Sequence, residues 1–243
     1  PRGTYISLGT DLSRLIAKEV GDDLRVVGSG PSIGAVGNPA QAAALLKKAD
    51  VWHAMPPATR TYLTTAQAPP MQHAVHATLI ASNATSAQAV ADYLATKMQT
   101  APLIGDVEQA AQRIVNDALA YSTPLVYGGE TTVELSKVVG KGGRNQELAL
   151  RVVRLVKRAG LTGDWCFLSG GTDGRDGPTD AAGGLVDHTS FARLEAASID
   201  LDRVLERHDS YPALAVIDDL LMTGATGTNV ADLQIFLRPS PKT

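Results

Sequence analysis

Apolar residues recur at three- and four-residue spacing from Ala40 to Lys48 and from Ala84 to Gln99, so each stretch predicts an Ala-rich amphipathic helix. Asn38-Pro39 before the first and Ser82-Asn83 before the second supply side-chain oxygens where helix amides start unpaired. The segment from Pro56 to Pro70 is broken by Pro57 and Pro69 and reads as a short helix or loop. Val107 to Leu119 sets Val107, Ala110, Ala111, Ile114, Val115 and Ala118 on one face and predicts another helix. From Pro124 the pattern changes to short strands between helices. Strands are expected at Leu125 to Tyr127, Val133 to Val139, Trp165 to Leu168, Leu220 to Met222 and Leu233 to Leu237. Helices are expected at Asn145 to Ala159, Ser190 to Ala197 and Leu201 to Arg207. That alternation predicts α/β layering, and no internal repeat or low-complexity tract interrupts it.

With 243 residues, 44% of them hydrophobic, the chain can build one large or two modest domains. Lys and Arg number 22 against 25 Asp and Glu, and the net charge of -3 is spread without a basic stripe, which argues against a nucleic-acid partner. Apolar runs such as Val152-Val153 and Leu214 to Ile217 fall far short of the roughly 20 residues that span a bilayer, so no membrane segment is expected. Cys166 is the only cysteine; it allows no internal disulfide and fits a reducing, cytoplasmic setting. The chain starts at Pro1 without a charged-then-apolar leader, so the expectation is no signal peptide and a numbering that begins partway into a longer protein.

Candidate chemistry gathers on glycine-bearing segments beside expected strands and helix starts, where α/β proteins place ligands. They are Gly21-Asp22-Asp23 with Gly28-Ser29-Gly30-Pro31-Ser32; Gly128-Gly129-Glu130-Thr131-Thr132; Lys141-Gly142-Gly143-Arg144-Asn145-Gln146-Glu147; Ser169 to Asp180; and Thr223 to Asn229. The third runs into a helix, so free amides and the positive end of the dipole sit beside a guanidinium, a combination suited to an anion. Each feature has a plainer reading. Glycine pairs form tight turns, Arg144 could pair with a surface acid, and Asp173, Asp176 and Asp180 could form Asx-turns. The acids lack EF-hand spacing; beside amides and an Arg they fit a magnesium ion held partly by water and substrate phosphates. Neither a P-loop nor a complete Gly-x-Gly-x-x-Gly fingerprint occurs. His53, His73, His76, His188 and His208 lack zinc-hydrolase spacing, and Ser169 lacks a Gly-x-Ser-x-Gly elbow.

The runs at 128 to 133, 142 to 150, 171 to 183, Asp209-Ser210-Tyr211 and 223 to 233 together resemble glycerate 2-kinases of the MOFRL type. The likeness covers Pro124 to Leu237 and continues loosely upstream through Gly21-Asp22-Asp23-Leu24, Gly28 to Pro31 and Ser82-Asn83-Ala84. It implies a two-domain α/β enzyme: a Rossmann-like first domain, incomplete here over residues 1–120, and an α/β MOFRL domain with a mixed sheet over 121–243, with the site in the cleft between them. The implied reaction is ATP-dependent phosphorylation of D-glycerate at the 2-hydroxyl to give 2-phosphoglycerate, with ATP and Mg2+ as cofactors. Some members are labelled NAD(P)H-dependent hydroxypyruvate reductases, a reading ranked second because no nicotinamide fingerprint is present. An inactive ligand-binding fragment is the third.

On this resemblance Arg144 meets the transition-state charge, and Glu130 and Asp173 coordinate magnesium or orient the hydroxyl. Asp176 and Asp180 are second-line acids for the metal or loop-shaping residues. Gly128, Gly129, Thr131, Gly142, Gly143, Asn145, Thr226, Thr228 and Asn229 cradle substrate and nucleotide, with Asp22 and Asp23 reaching in from the first domain. A homodimer is left open. The chain departs from the family in three ways. Nothing before Gly21 matches the family's glycine-rich stretch and lysine, Lys18-Glu19-Val20 stands where Ser-Asp is usual, and the stretch between Ala66 and Met71 is short.

Overall fold

The computed structural model describes residues 6–8, 11–18, 37–66, 77–135 and 139–239. Packing separates two compact units, one from the described residues before Ala81, apart from Ala17 and Lys18, and one from Ala81 onward. The change of sequence pattern at Pro124 thus falls inside the second unit.

In the first unit, β1 (Ile6–Leu8) pairs antiparallel with β2 (Asp11–Lys18), and β2 lies beside β3 (Ala77–Ser82). Helix α1 (Pro39–Lys48) starts on a reciprocal box: Asn38 accepts from the Gln41 amide and Gln41 accepts from that of Asn38. A 3-10 turn (Trp52–Ala54) and α2 (Pro57–Thr65) follow. The Rossmann-like reading of residues 1–120 rests in large part on 19–36 and 67–76, which lie outside the described residues.

The second unit is an α/β layer structure on one mixed sheet. Helix α3 (Asn83–Tyr93) begins on the Ser82 cap; β4 (Leu103–Asp106), α4 (Val107–Ala120), β5 (Leu125–Thr132) and α5 (Arg144–Ala159) follow. Then come β6 (Cys166–Gly171), β7 (Gly183–Asp187), α6 (Ser190–Ala196), α7 (Leu201–Glu206), α8 (Ser210–Val216), β8 (Leu220–Leu221) and β9 (Asp232–Leu237). The sheet order is β4-β5-β9-β6-β7-β8, with β4 and β5 parallel and every other pair antiparallel.

Strand alternation sends Leu125 and Tyr127 to the face covered by α4 and α5, and Val126 to the face covered by α3. The predicted face of α4, from Val107 to Ala118, is buried against Leu148, Ala149, Val152 and Val156 of α5. The Tyr127 hydroxyl reaches Asp117 at 2.9 Å, which satisfies the one polar atom this ring carries into the core. Among the described residues no helix is long and apolar enough to cross a membrane.

Two expectations fail, and one strand was not anticipated. Val133 to Val139 is not a strand where it is described: β5 stops at Thr132, because β4 ends opposite that residue and β9 begins opposite Gly129, so backbone beyond them has no ladder partner. Residues 136–138 lie outside the described set. The helix expected to reach Gln99 ends at Tyr93, with Ala95 at φ 50 and Met98 bridged to Val126. The strand β7 was not anticipated, since Gly183-Gly184 contributes no side chains to an apolar-polar alternation. A Cβ on Gly183 would lie 1.9 Å from the Ser169 carbonyl oxygen, and one on Gly184 would lie 2.8 Å from Ala149 Cβ. Glycine is there to let β7 close on β6 and α5.

Leu148, fully buried between α4 and the sheet, carries much of this packing. Leu148→Ala is expected to cost about 2–5 kcal/mol in the free energy of unfolding measured by urea titration.

Candidate functional site

Asp232, the first residue of β9, stands opposite Gly129 of β5 on one side and Gly171 of β6 on the other. Three of the glycine-bearing segments therefore meet at a carboxylate that sequence reasoning did not single out. Its side chain is completely buried, and both oxygens face Arg144, the first residue of α5: Nε to Oδ2 is 2.6 Å and Nη2 to Oδ1 is 2.9 Å. Arg144 Nη2 also lies 3.2 Å from Glu130 Oε1. Side-chain exposure is 33% for Arg144 and 37% for Glu130, so the cluster is dry at one end and open at the other. Burial raises the Asp232 pKa while Arg144 and Asn145 oppose that; Asp232, in turn, holds the guanidinium charged beyond its ordinary range. The Asn83 side-chain amide donates to the backbone oxygens of Val230 and Asp232 at 2.8 Å each and so pins the start of β9.

The N-terminus of α5 does not present its amides to a ligand. Asp176, 2% exposed, turns its carboxylate into them: Oδ1 accepts from the amide and side chain of Asn145, and Oδ2 from the amide and side chain of Gln146, at 2.9–3.3 Å. The anion expected at this helix end is thus a residue of the protein. Asn145, read as a ligand residue, is fully buried, and its Oδ1 accepts from Ser169 at 2.6 Å.

The acids Asp173, Asp176 and Asp180 do not form a metal triad. Among the described residues no group of three or more His, Cys, Asp or Glu is placed to hold a metal ion. The oxygens of Asp176 are engaged by four donors, and exposed Asp180 accepts from the Tyr211 hydroxyl at 2.7 Å. Asp173 remains partly exposed, with Oδ1 accepting from the Arg175 amide at 2.9 Å and Oδ2 at 3.5 Å from Asn229 Nδ2. Its loop is stitched to the 223–232 segment, since Thr172 bonds the backbone of Val230 and Ala231 and Thr226 donates to the Thr172 carbonyl. Asn229 and Asp173 are therefore brought together beside exposed Thr226 and Thr228.

The glycines have packing reasons of their own. A Cβ on Gly128 would lie 2.0 Å from Asn83 Oδ1, on Gly142 2.1 Å from Ser210 Oγ, and on Gly143 2.2 Å from the Asp176 carboxyl carbon. Gly129 sits at φ 152 with a Cβ position 2.1 Å from the Leu103 carbonyl oxygen. Thr131 is buried. Asp22 and Asp23 lie outside the described residues. Asp232 was visible only as the acid that ends Thr-Gly-Ala-Thr-Gly-Thr-Asn-Val-Ala-Asp, directly before a strand.

Residues 123–232 match the MOFRL family model. The chain is 35% identical to a glycerate 2-kinase of Pyrococcus horikoshii over 96% of its own length and 57% of that protein's. It is 50% identical to a D-glycerate 2-kinase of Thermotoga maritima over 46% of the chain and 26% of the relative. A crystal structure of a glycerate kinase from Thermotoga maritima matches 93% of the chain and 57% of that structure with TM-score 0.77 and 32% identity. The chain thus spans a little over half the length of such relatives.

Asp176 supplies a pH test. Burial lifts its pKa to about 6, above the ordinary carboxylate value, so the native state binds this proton more tightly than the unfolded chain. Its contribution is fully present below about pH 4 and is lost as pH rises through about 6. The stability of the wild type minus that of Asp176→Ala is therefore expected to shrink by up to about 3 kcal/mol from pH 4 to pH 7 in urea titrations.

Proposed function

We propose that this chain forms part of an ATP-dependent kinase that phosphorylates the 2-hydroxyl of D-glycerate, giving 2-phosphoglycerate. The observation that carries the reading is the Arg144, Asp232 and Glu130 cluster, buried at Asp232 and open at Glu130, where the glycine-bearing segments of a chain similar to glycerate 2-kinases converge.

Phosphoryl transfer asks a protein for alignment and charge placement more than for covalent chemistry. Among the described residues the hydrogen bonds and ion pairs of Arg144 use Nε and Nη2, so Nη1 is the part of the guanidinium left to meet a phosphate or the glycerate carboxylate. Asp232 holds that group in one orientation. Glu130, beside Arg144, is the acceptor we assign to the 2-hydroxyl, and it would take the proton that leaves as the oxygen attacks. Asn229 and Asp173, paired over the Thr226 to Thr228 loop, offer donors and a carboxylate to the nucleotide end.

ATP supplies the phosphoryl group. Magnesium suits the site as an ion held largely by phosphate oxygens and water, because two partly exposed carboxylates, Glu130 and Asp173, fit that hard-oxygen chemistry while among the described residues no protein cage of three acids is placed for it. The substrate and nucleotide are small molecules, and a single cysteine, which can form no internal disulfide, supports a reducing, cytoplasmic setting.

The test is a coupled assay of the purified protein with ATP, magnesium and D-glycerate, using enolase so that 2-phosphoglycerate alone gives signal. Arg144→Ala is expected to lower turnover about 100- to 1000-fold. Because it also strands the buried Asp232 charge, the double variant Arg144→Met with Asp232→Leu, which removes both charges, serves as the folded control. Wild-type turnover that persists in the folded double variant would sink the role of Arg144. Absence of 2-phosphoglycerate, with oxidation of a nicotinamide by hydroxypyruvate instead, would replace the kinase by a reductase.

A further inference from the structure

The Asp209-Ser210-Tyr211 run, which resembles a family motif, has no place among the groups assigned above. It packs against the segment that delivers Arg144. The Gly140 amide donates to the Arg207 carbonyl at 2.7 Å, the Lys141 amide to Asp209 Oδ1 at 2.8 Å, and the Tyr211 amide back to the Lys141 carbonyl at 2.9 Å. Asp209 is the N-cap residue of α8, yet its side chain caps nothing there; the carboxylate is given to Lys141 instead. A Cβ on Gly140 would lie 2.5 Å from the Asp209 carboxylate, and one on Gly142 would lie 2.1 Å from Ser210 Oγ, so the two segments touch at backbone distance.

The clamp is fastened at both ends. His208 Nδ1 lies 2.9 Å from Glu147 Oε2, one turn into the helix that Arg144 begins. Tyr211 carries Lys141 Nζ 3.8 Å from its ring centre and donates its hydroxyl to Asp180, in the same loop as Asp173.

We infer that Asp209, supported by Tyr211, is a positioning residue: it sets the path of Gly140 to Gly143, hence where Arg144 leaves the helix start, and ties that path to the Asp173 loop. The inference rests on the kinase reading for its catalytic consequence, but the clamp itself can be read without turnover.

Three variants test it: Asp209→Ala, Asp209→Asn, which keeps an oxygen for the Lys141 amide, and Tyr211→Phe, which keeps the ring under Lys141. In the purified protein Asp209→Ala is expected to lower kcat about tenfold with KM for both substrates within about twofold, since misalignment is felt in the reacting geometry. Asp209→Asn should stay within about twofold of wild type, and Tyr211→Phe should fall between. Hydrogen exchange at 139–144 should quicken in Asp209→Ala and not in Asp209→Asn. Unchanged exchange in Asp209→Ala, or equal kcat losses in the Ala and Asn variants, overturns the inference. A wild type without kinase activity that still shows the exchange pattern removes the kinase reading and leaves the clamp.

Discussion

The second unit turns on a carboxylate buried in the first turn of a helix. Asp176 lies 2% exposed against the amides of Asn145 and Gln146, with both of their side chains closing on it. Taking a charged oxygen pair out of water is costly, and the four N–H groups with the helix dipole offset part of that cost, burial still holding the Asp176 pKa above the ordinary carboxylate value. The arrangement is possible because Gly143 has no side chain; a Cβ would overlap the carboxylate. Once it forms, the Asp173 to Asp180 loop and the start of α5 are a single piece, and Arg144 has one place to go.

That place is beside Asp232. A guanidinium between one buried and one half-exposed carboxylate carries no surplus positive charge into the site. Its value lies in directed N–H groups held in a fixed orientation, which is the form of preorganisation that favours a transition state over a ground state. On the proposed kinase reading, most of the charge neutralising a transferring phosphoryl group would arrive with the nucleotide's own cation or from elsewhere in the protein. Glu130 is placed by the same arrangement, 3.2 Å from Arg144 Nη2 at the open end of the cluster.

Much of the framework was legible in the sequence. The face of α4 from Val107 to Ala118 and the helix of α5 follow from 3.6-residue periodicity. What could not be read were long-range choices. The sequence shows that Asp173, Asp176 and Asp180 share a loop; it does not show that Asp176 turns inward to a helix 30 residues earlier while Asp180 turns out to Tyr211. The Gly-Gly pairs at 128 and 142 invited a ligand or a turn, whereas close approach of Asn83 to Gly128 and of Ser210 to Gly142 explains those glycines. The Val133 to Val139 strand failed for a related reason, since β propensity says nothing about where the neighbouring strands stop.

The most direct measurement is a crystal structure of the protein with magnesium, a non-hydrolysable ATP analogue and D-glycerate. The expected result is the glycerate 2-hydroxyl within hydrogen-bond reach of Glu130, an anionic group of substrate or nucleotide on Arg144 Nη1, and Asp232 still closed on Nε and Nη2. Ligands bound away from Arg144, or an Arg144 that abandons Asp232 to reach them, would contradict a site built on that fixed pair.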